Sequence, residues 1–219
     1  MSKNLRLGIL ASGSGTNLQS IIDACRQNRI DAEVAVVITN KPGAGALNRA
    51  EKADIATRCI DHRQFDSRES FDAAVVEALR EARVDLVCLA GFMRLITSTM
   101  LDAFPMRIMN IHPSLLPAFP GLNVQRQAVE YGVRFSGCTV HFVDSGTDTG
   151  PIIIQAAVPV LDDDDEHTLS ARILKEEHRI YPRAIQLFAE GRLRIEGRRV
   201  TIAPGLPLDD SALINPPLQ

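Results

Sequence analysis

The 219 residues are 45% hydrophobic and 23% charged, a balance that fits an ordinary folded chain and excludes disordered and fibrous classes. At this length a chain buries about 70% of its extended surface, enough for a core without disulfides or a structural metal. Twenty-four Lys and Arg against 27 Asp and Glu leave a net charge of -3, with no Trp and two Tyr, so neither a basic nucleic-acid footprint nor an aromatic base-stacking platform is present.

The first apolar run, residues 5–10, is too short for a signal-peptide core or a membrane span, and the expected location is the cytoplasm. Similar runs at 34–39, 84–90 and 107–111 lack polar alternation, as strands covered on both faces do. Between them Leu18, Ile21, Ile22 and Cys25, then Phe71, Val75, Leu79 and Ala82, recur at helical spacing. This β-α rhythm predicts a single-domain, doubly wound, mainly parallel open sheet of the α/β class. Residues 137–143 and 151–160 read as two further strands, and 168–189 as a long helix disturbed at Pro182. The acidic run 162–166 caps that helix; its consecutive aspartates lack the interleaved spacing of a calcium loop. A small hairpin is expected over 193–202, then a Pro-rich tail lying on the surface. The α/β domain thus covers 1–192, with 193–219 packed on it or fraying from it. Cys25, Cys59, Cys88 and Cys138 include no Cys-x-x-Cys pair and are expected as reduced, mostly buried thiols.

In such a sheet, ligands bind beyond the carboxyl ends of the strands. The first strand leads into Ser12-Gly13-Ser14-Gly15-Thr16-Asn17-Leu18, where glycines, a helix start and polar side chains suit a phosphate or carboxylate. Leu18 stands where a dinucleotide fingerprint needs its third glycine, and the Lys-Ser/Thr ending of a nucleotide P-loop is missing. The fourth long run ends in Asn110-Ile111-His112-Pro113-Ser114-Leu115-Leu116-Pro117. Asn110 and His112, two apart on an extended chain, share a face; an Asn amide and an imidazole together can donate to a developing oxyanion, and His can carry a proton. Farther on, Asp144 and Asp148 are rival partners for His112, whose imidazolium a nearby carboxylate favours. Spacing does not choose between them.

Asn110-x-His112-Pro113-Ser114-Leu115-Leu116-Pro117 with Asp148-x-Gly150 resembles the active-site signature of the formyltransferases that use 10-formyltetrahydrofolate. Gly13 to Leu18 and Glu177-His178-x-Ile180-Tyr181-Pro182 extend the likeness, from the first strand to Leu193, toward the subfamily acting on 5'-phosphoribosylglycinamide. The resemblance implies a Rossmann-like formyltransferase fold and a catalytic trio of Asn110, His112 and Asp148, preferring Asp148 to Asp144. It further implies a ribonucleotide site at Gly15, Thr16, Asn17 and Glu177, and a folate site at Arg68, Met93, Arg94, Leu95, Ile96 and Asn110. The co-substrate expected is 10-formyltetrahydrofolate, with no metal, nucleic acid or membrane involved, and a homodimer is compatible with the pattern. Thr149 stands where some relatives have Gly, and the loop 131–136 is short.

Two relatives in the superfamily fit the length less well. A methionyl-tRNA formyltransferase is expected to carry a further C-terminal domain, and a formyltetrahydrofolate deformylase an N-terminal regulatory one. A non-catalytic nucleotide- or folate-binding module on the same fold is disfavoured by the joint presence of the trio.

Overall fold

The computed structural model describes residues 4–205 with Leu213 and Asn215. Its elements are β1 (Leu5–Ala11), α1 (Thr16–Arg26), β2 (Ala32–Thr39), α2 (Gly45–Glu51), β3 (Thr57–Cys59), α3 (Arg68–Glu81), β4 (Leu86–Leu89), α4 (Ser98–Ala103), β5 (Ile108–His112), α5 (Val124–Tyr131), β6 (Phe135–Phe142), β7 (Ile152–Pro159), α6 (Glu166–Ala189), β8 (Leu193–Glu196) and β9 (Arg199–Ile202). Among the described residues they form one nine-stranded sheet in the order β3-β2-β1-β4-β5-β6-β7-β9-β8. The five strands from β3 to β5 run parallel, and β6 and β7 return antiparallel. The expected hairpin 193–202 is β8 and β9, joined to the same sheet through Ile152 and Arg199.

Strand alternation sorts the core into two layers. Leu7, Ile9 and Ala11 face α1 and α6 with Leu18, Ile21, Ile173, Tyr181 and Ile185. Leu10, Val36 and Ile38 face α3 and α4 with Phe71, Val75, Leu79 and Met100. Gly8 is a point of close approach, since a Cβ there would stand 2.3 Å from Leu79 Cδ2. This position lets α3 settle onto β1.

The sequence pattern did not show α2, β3, α4 or α5. Each is short and buries little: α2 covers only Ala46 and Ala50, α5 only Val124 and Ala128, and neither supplies a long periodic stripe. The long helix starts two residues earlier than expected and passes through Pro182 without a break. Tyr181, Pro182, Ala184 and Ile185 are all buried there, and this packing offsets the hydrogen bond that proline lacks. The acidic run acts as a cap: Asp165 accepts from the backbone N–H of His167 and Thr168, while Asp164 pairs with Arg172, eight residues further on. Cys88 and Cys138 are buried, but Cys59 is exposed, because β3 lies at the sheet edge. Most of the Pro-rich tail lies outside the described residues; within it, Asn215 Nδ2 donates to the carbonyls of Arg134 and Val160 at 2.6 and 3.1 Å. No helix among the described residues is long and apolar enough to cross a membrane.

Tyr181 ties α6 to the centre of the sheet. Its hydroxyl, fully buried, lies 3.1 Å from Leu89 O and 3.0 Å from Met109 O, so one side chain reaches the ends of two adjacent strands. Tyr181→Phe leaves both carbonyls short of this donor and should lower stability by about 1–2 kcal/mol in urea unfolding, with the slope of the transition unchanged.

Candidate active site

The last residues of β5 carry Asn110 and His112 on one face. Pairing with β6 sets Asn110 opposite His141 and His112 opposite Thr139. Asn110 Nδ2 stands 3.2 Å from His141 Nε2, and His141 Nδ1 stands 2.8 Å from Phe142 O. A carbonyl only accepts, so Nδ1 carries the proton and Nε2 receives the Asn110 amide. Burial pushes the His141 pKa below its ordinary value, which favours this neutral ring. The amide of Asn110 is thereby oriented, with its second N–H left over for a guest. Sequence reading gave His141 no role; its only signal is the β5–β6 register, which a single sequence does not display.

Each nitrogen of His112 faces an acceptor. Nε2 lies 2.9 Å from Phe119 O, and Nδ1 lies 3.4 Å from Asp148 Oδ2. The same carboxylate oxygen accepts from Gly121 N at 2.9 Å. The ring thus lies between a backbone carbonyl and a carboxylate. Asp148 adopts φ 54°, a left-handed conformation that Asp tolerates better than most residues. Asp144 points elsewhere, accepting from Gly146 N and from Thr149 Oγ1 at 3.1 and 2.6 Å. The loop between β5 and α5 is braced from below: Thr139 Oγ1 donates to Ser114 O and accepts from Leu116 N, and Gln155 Nε2 donates to Leu116 O. Ser114 Oγ donates to Ala118 O. Thr139 and Gln155, which no motif singled out, thus hold the loop whose far end grips His112 and Asp148.

At the end of β1, Gly15 takes φ 74° as the residue before α1, and a Cβ there would meet Ala46 Cα at 2.8 Å. The start of α2 binds the loop's carbonyls: Ala46 N donates to Gly13 O and Arg49 Nε to Ser14 O. No side chain caps α1, so its first-turn N–H groups remain available to an anion. Asn17 and Glu177 are both buried, with Asn17 Nδ2 donating to Glu177 Oε2 at 2.7 Å. Asn17 Oδ1 is buried without a partner, an acceptor waiting for a donor. Burial raises the Glu177 pKa, partly opposed by the Asn17 hydrogen bond. A cavity of about 310 Å³ opens beside Thr16, bounded also by Arg49 and His178.

The loop after β4 contains the other expected ligand residues. Met93 and Leu95 are 59% and 52% exposed. Arg94 lies over the Phe71 ring at 5.0 Å, Phe92 stacks on Phe71, and Asp72 accepts from the backbone and hydroxyl of Thr97. The loop is therefore strapped to α3, whose first residue is the exposed Arg68.

The parallel sheet reverses at β6, and Asn110, His112 and Asp148 come together at that reversal. The description "Formyl transferase" matches residues 5–185, and the chain belongs to that family. Within it, this chain is 45% identical over 191 residues to phosphoribosylglycinamide formyltransferase of Escherichia coli, covering 87% of this chain and 90% of that protein. It is 53% identical over 188 residues to a trifunctional purine biosynthetic protein of Drosophila melanogaster, of whose length it spans 14%. The crystal structure of glycinamide ribonucleotide transformylase 1 from Symbiobacterium toebii superposes with a TM-score of 0.91 at 60% identity, covering 92% of this chain and 95% of that one.

Glu177 makes the site costly to fold. Its folded pKa lies above the ordinary carboxylate value, so the folded state holds the proton more tightly than the unfolded state, and stability declines as pH rises from the ordinary Glu range through the raised pKa. Glu177→Gln removes that slope. Melting temperatures should therefore show the variant gaining on the native protein as pH rises above the ordinary Glu range.

Proposed function

We propose that the protein transfers the formyl group of 10-formyltetrahydrofolate to the amine of 5'-phosphoribosylglycinamide, giving 5'-phosphoribosyl-N-formylglycinamide and tetrahydrofolate on the route to purines. The observation that carries this reading is the convergence of Asn110, His112 and Asp148 at the end of β5, in a chain 45% identical to an enzyme of that name. Residues 1–192 are the unit proposed to do the work, in the cytoplasm.

The amine needs little activation, since α-amines titrate near pH 8 and a neutral fraction exists at pH 7. The barrier lies in the charge that develops on the formyl oxygen and in expelling the folate nitrogen. The spare N–H of Asn110 and the protonated His112 ring serve the oxyanion. The His112 Nδ1 to Asp148 Oδ2 separation of 3.4 Å is longer than a direct N–H···O hydrogen bond, so that proton is not locked to the carboxylate and is free for substrate. As the tetrahedral intermediate collapses, the proton lost by the attacking nitrogen passes to N10 of the folate, and the C–N10 bond breaks. Asp148 balances the ring's charge throughout.

Gly15, Thr16 and Asn17 are the proposed phosphate contacts, and Glu177 the proposed ribose contact. The uncapped α1 start supports the first, and the unpartnered Asn17 Oδ1 beside Glu177 supports a hydroxyl donor for the second. Met93, Arg94, Leu95, Ile96 and Arg68 are the proposed folate contacts, supported by the exposed apolar side chains of a strapped loop.

Folate release should require the ribonucleotide; equal release with water alone would point to a hydrolase instead. Asn110→Ala, His112→Ala and Asp148→Asn should each lose about 100- to 1,000-fold in kcat while remaining folded, and near-normal turnover in Asp148→Asn would remove that residue from the mechanism. Calorimetric titration of Asn17→Ala should show weakened ribonucleotide binding with folate binding retained.

A further inference from the structure

We propose that Ser12 is a positioning residue that shapes the folate loop from the ribonucleotide side of the site. The proposal rests on the ligand assignment made above for residues 93–96. Ser12 is the first residue after β1 and is nearly buried. It holds the turn after β4 at two points: Ser12 N donates to Gly91 O at 3.0 Å, and Met93 N donates to Ser12 Oγ at 2.8 Å. Gly91, at the first of these points, has φ 74°, so the chain reverses direction within this clamp.

The direction of the hydrogen bonds is forced. Met93 N–H can only donate, so the Ser12 hydroxyl receives it with a lone pair and sends its own proton to Asn40 Oδ1, 2.6 Å away. That sets the Asn40 amide with its oxygen toward Ser12 and its nitrogen toward His62, whose Nδ1 lies within 3.2 Å of Asn40 Nδ2 and 3.0 Å of Asn40 O and can hydrogen-bond to one of the two at a time. Asn40 is 1% exposed and lies at the end of β2. The chain Met93, Ser12, Asn40 therefore joins the ends of the three parallel strands β4, β1 and β2, with His62 beside its last member. Met93 is where the exposed apolar part of the folate loop begins, and one residue beyond Ser12 begins the glycine loop. Without the hydroxyl, Met93 N–H and a buried carbonyl oxygen both lose their partner, and the loop is released from its seat.

The clamp is tested in two ways, one independent of any ligand. In the ligand-free protein, hydrogen exchange at the Met93 amide should accelerate about tenfold in Ser12→Ala, the scale of one lost hydrogen bond. In turnover, the same variant should raise the folate KM about tenfold, with kcat at saturation and the ribonucleotide KM within about twofold of the native values. Asn40→Ala, which keeps the hydroxyl but removes its acceptor, should shift both readouts the same way by less. Unchanged Met93 exchange would overturn the clamp. Equal rises in both KM values, or a loss confined to kcat, would overturn its folate-specific role. If the native protein fails to turn over these substrates, the functional reading falls, while the exchange experiment still judges the clamp by itself.

Discussion

Between β5 and β6 the sheet changes from parallel to antiparallel, and this one pairing decides which polar side chains meet. Directly opposed residues in an antiparallel pair lie about 4.5–5.5 Å apart at Cα. Setting Asn110 against His141 and His112 against Thr139 puts four polar side chains on one small face. A slip of one residue would turn Asn110 and His112 to the opposite face of the sheet. Tyr181 reinforces the place where the pairing begins, since its hydroxyl contacts the carbonyls that close β4 and precede Asn110.

Around that face, neutral groups do most of the positioning and charge is kept to one pair. His141 is held neutral by burial and turns Asn110 toward a guest. Thr139, Ser114 and Gln155 brace the loop that supplies Phe119 O to the His112 ring and Gly121 N to the Asp148 carboxylate. A buried charged bracing group would carry a desolvation cost and would compete with Asp148 for the ring. Uncharged braces avoid both effects. The same economy holds on the other side of the cleft, where Ser12 and Asn40 join three strand ends without an ion pair.

Four of the five parallel strands, β1, β2, β4 and β5, were legible in the sequence because they are unbroken apolar runs with amphipathic stripes between them. The missed elements were those with few buried residues, where no period exists to be read. Asn110 and His112 could be paired from their spacing alone, but the choice between Asp144 and Asp148 could not. Both aspartates lie on one turn, and what separates them is that Asp144 is spent on Gly146 and Thr149 within it. His141, Thr139 and Gln155 were illegible because their partners are 16 to 39 residues away in the chain. A net charge of -3 gave no hint of an anionic guest, because the proposed anion site is made of backbone N–H groups at the start of α1 rather than of basic side chains.

The left-handed backbone at Asp148 has a consequence for how this position can drift. A single base change in an aspartate codon leads to Asn, His, Tyr, Gly, Ala, Val or Glu. Of these, Gly and Asn are the most at ease with a positive φ, and only Asn retains an oxygen that Gly121 N can reach. The turn therefore screens mutations by shape before the chemistry screens them by charge. The changes most easily accommodated are ones that keep the turn and lose the carboxylate, so the charge facing His112 can be lost here without first losing the structure.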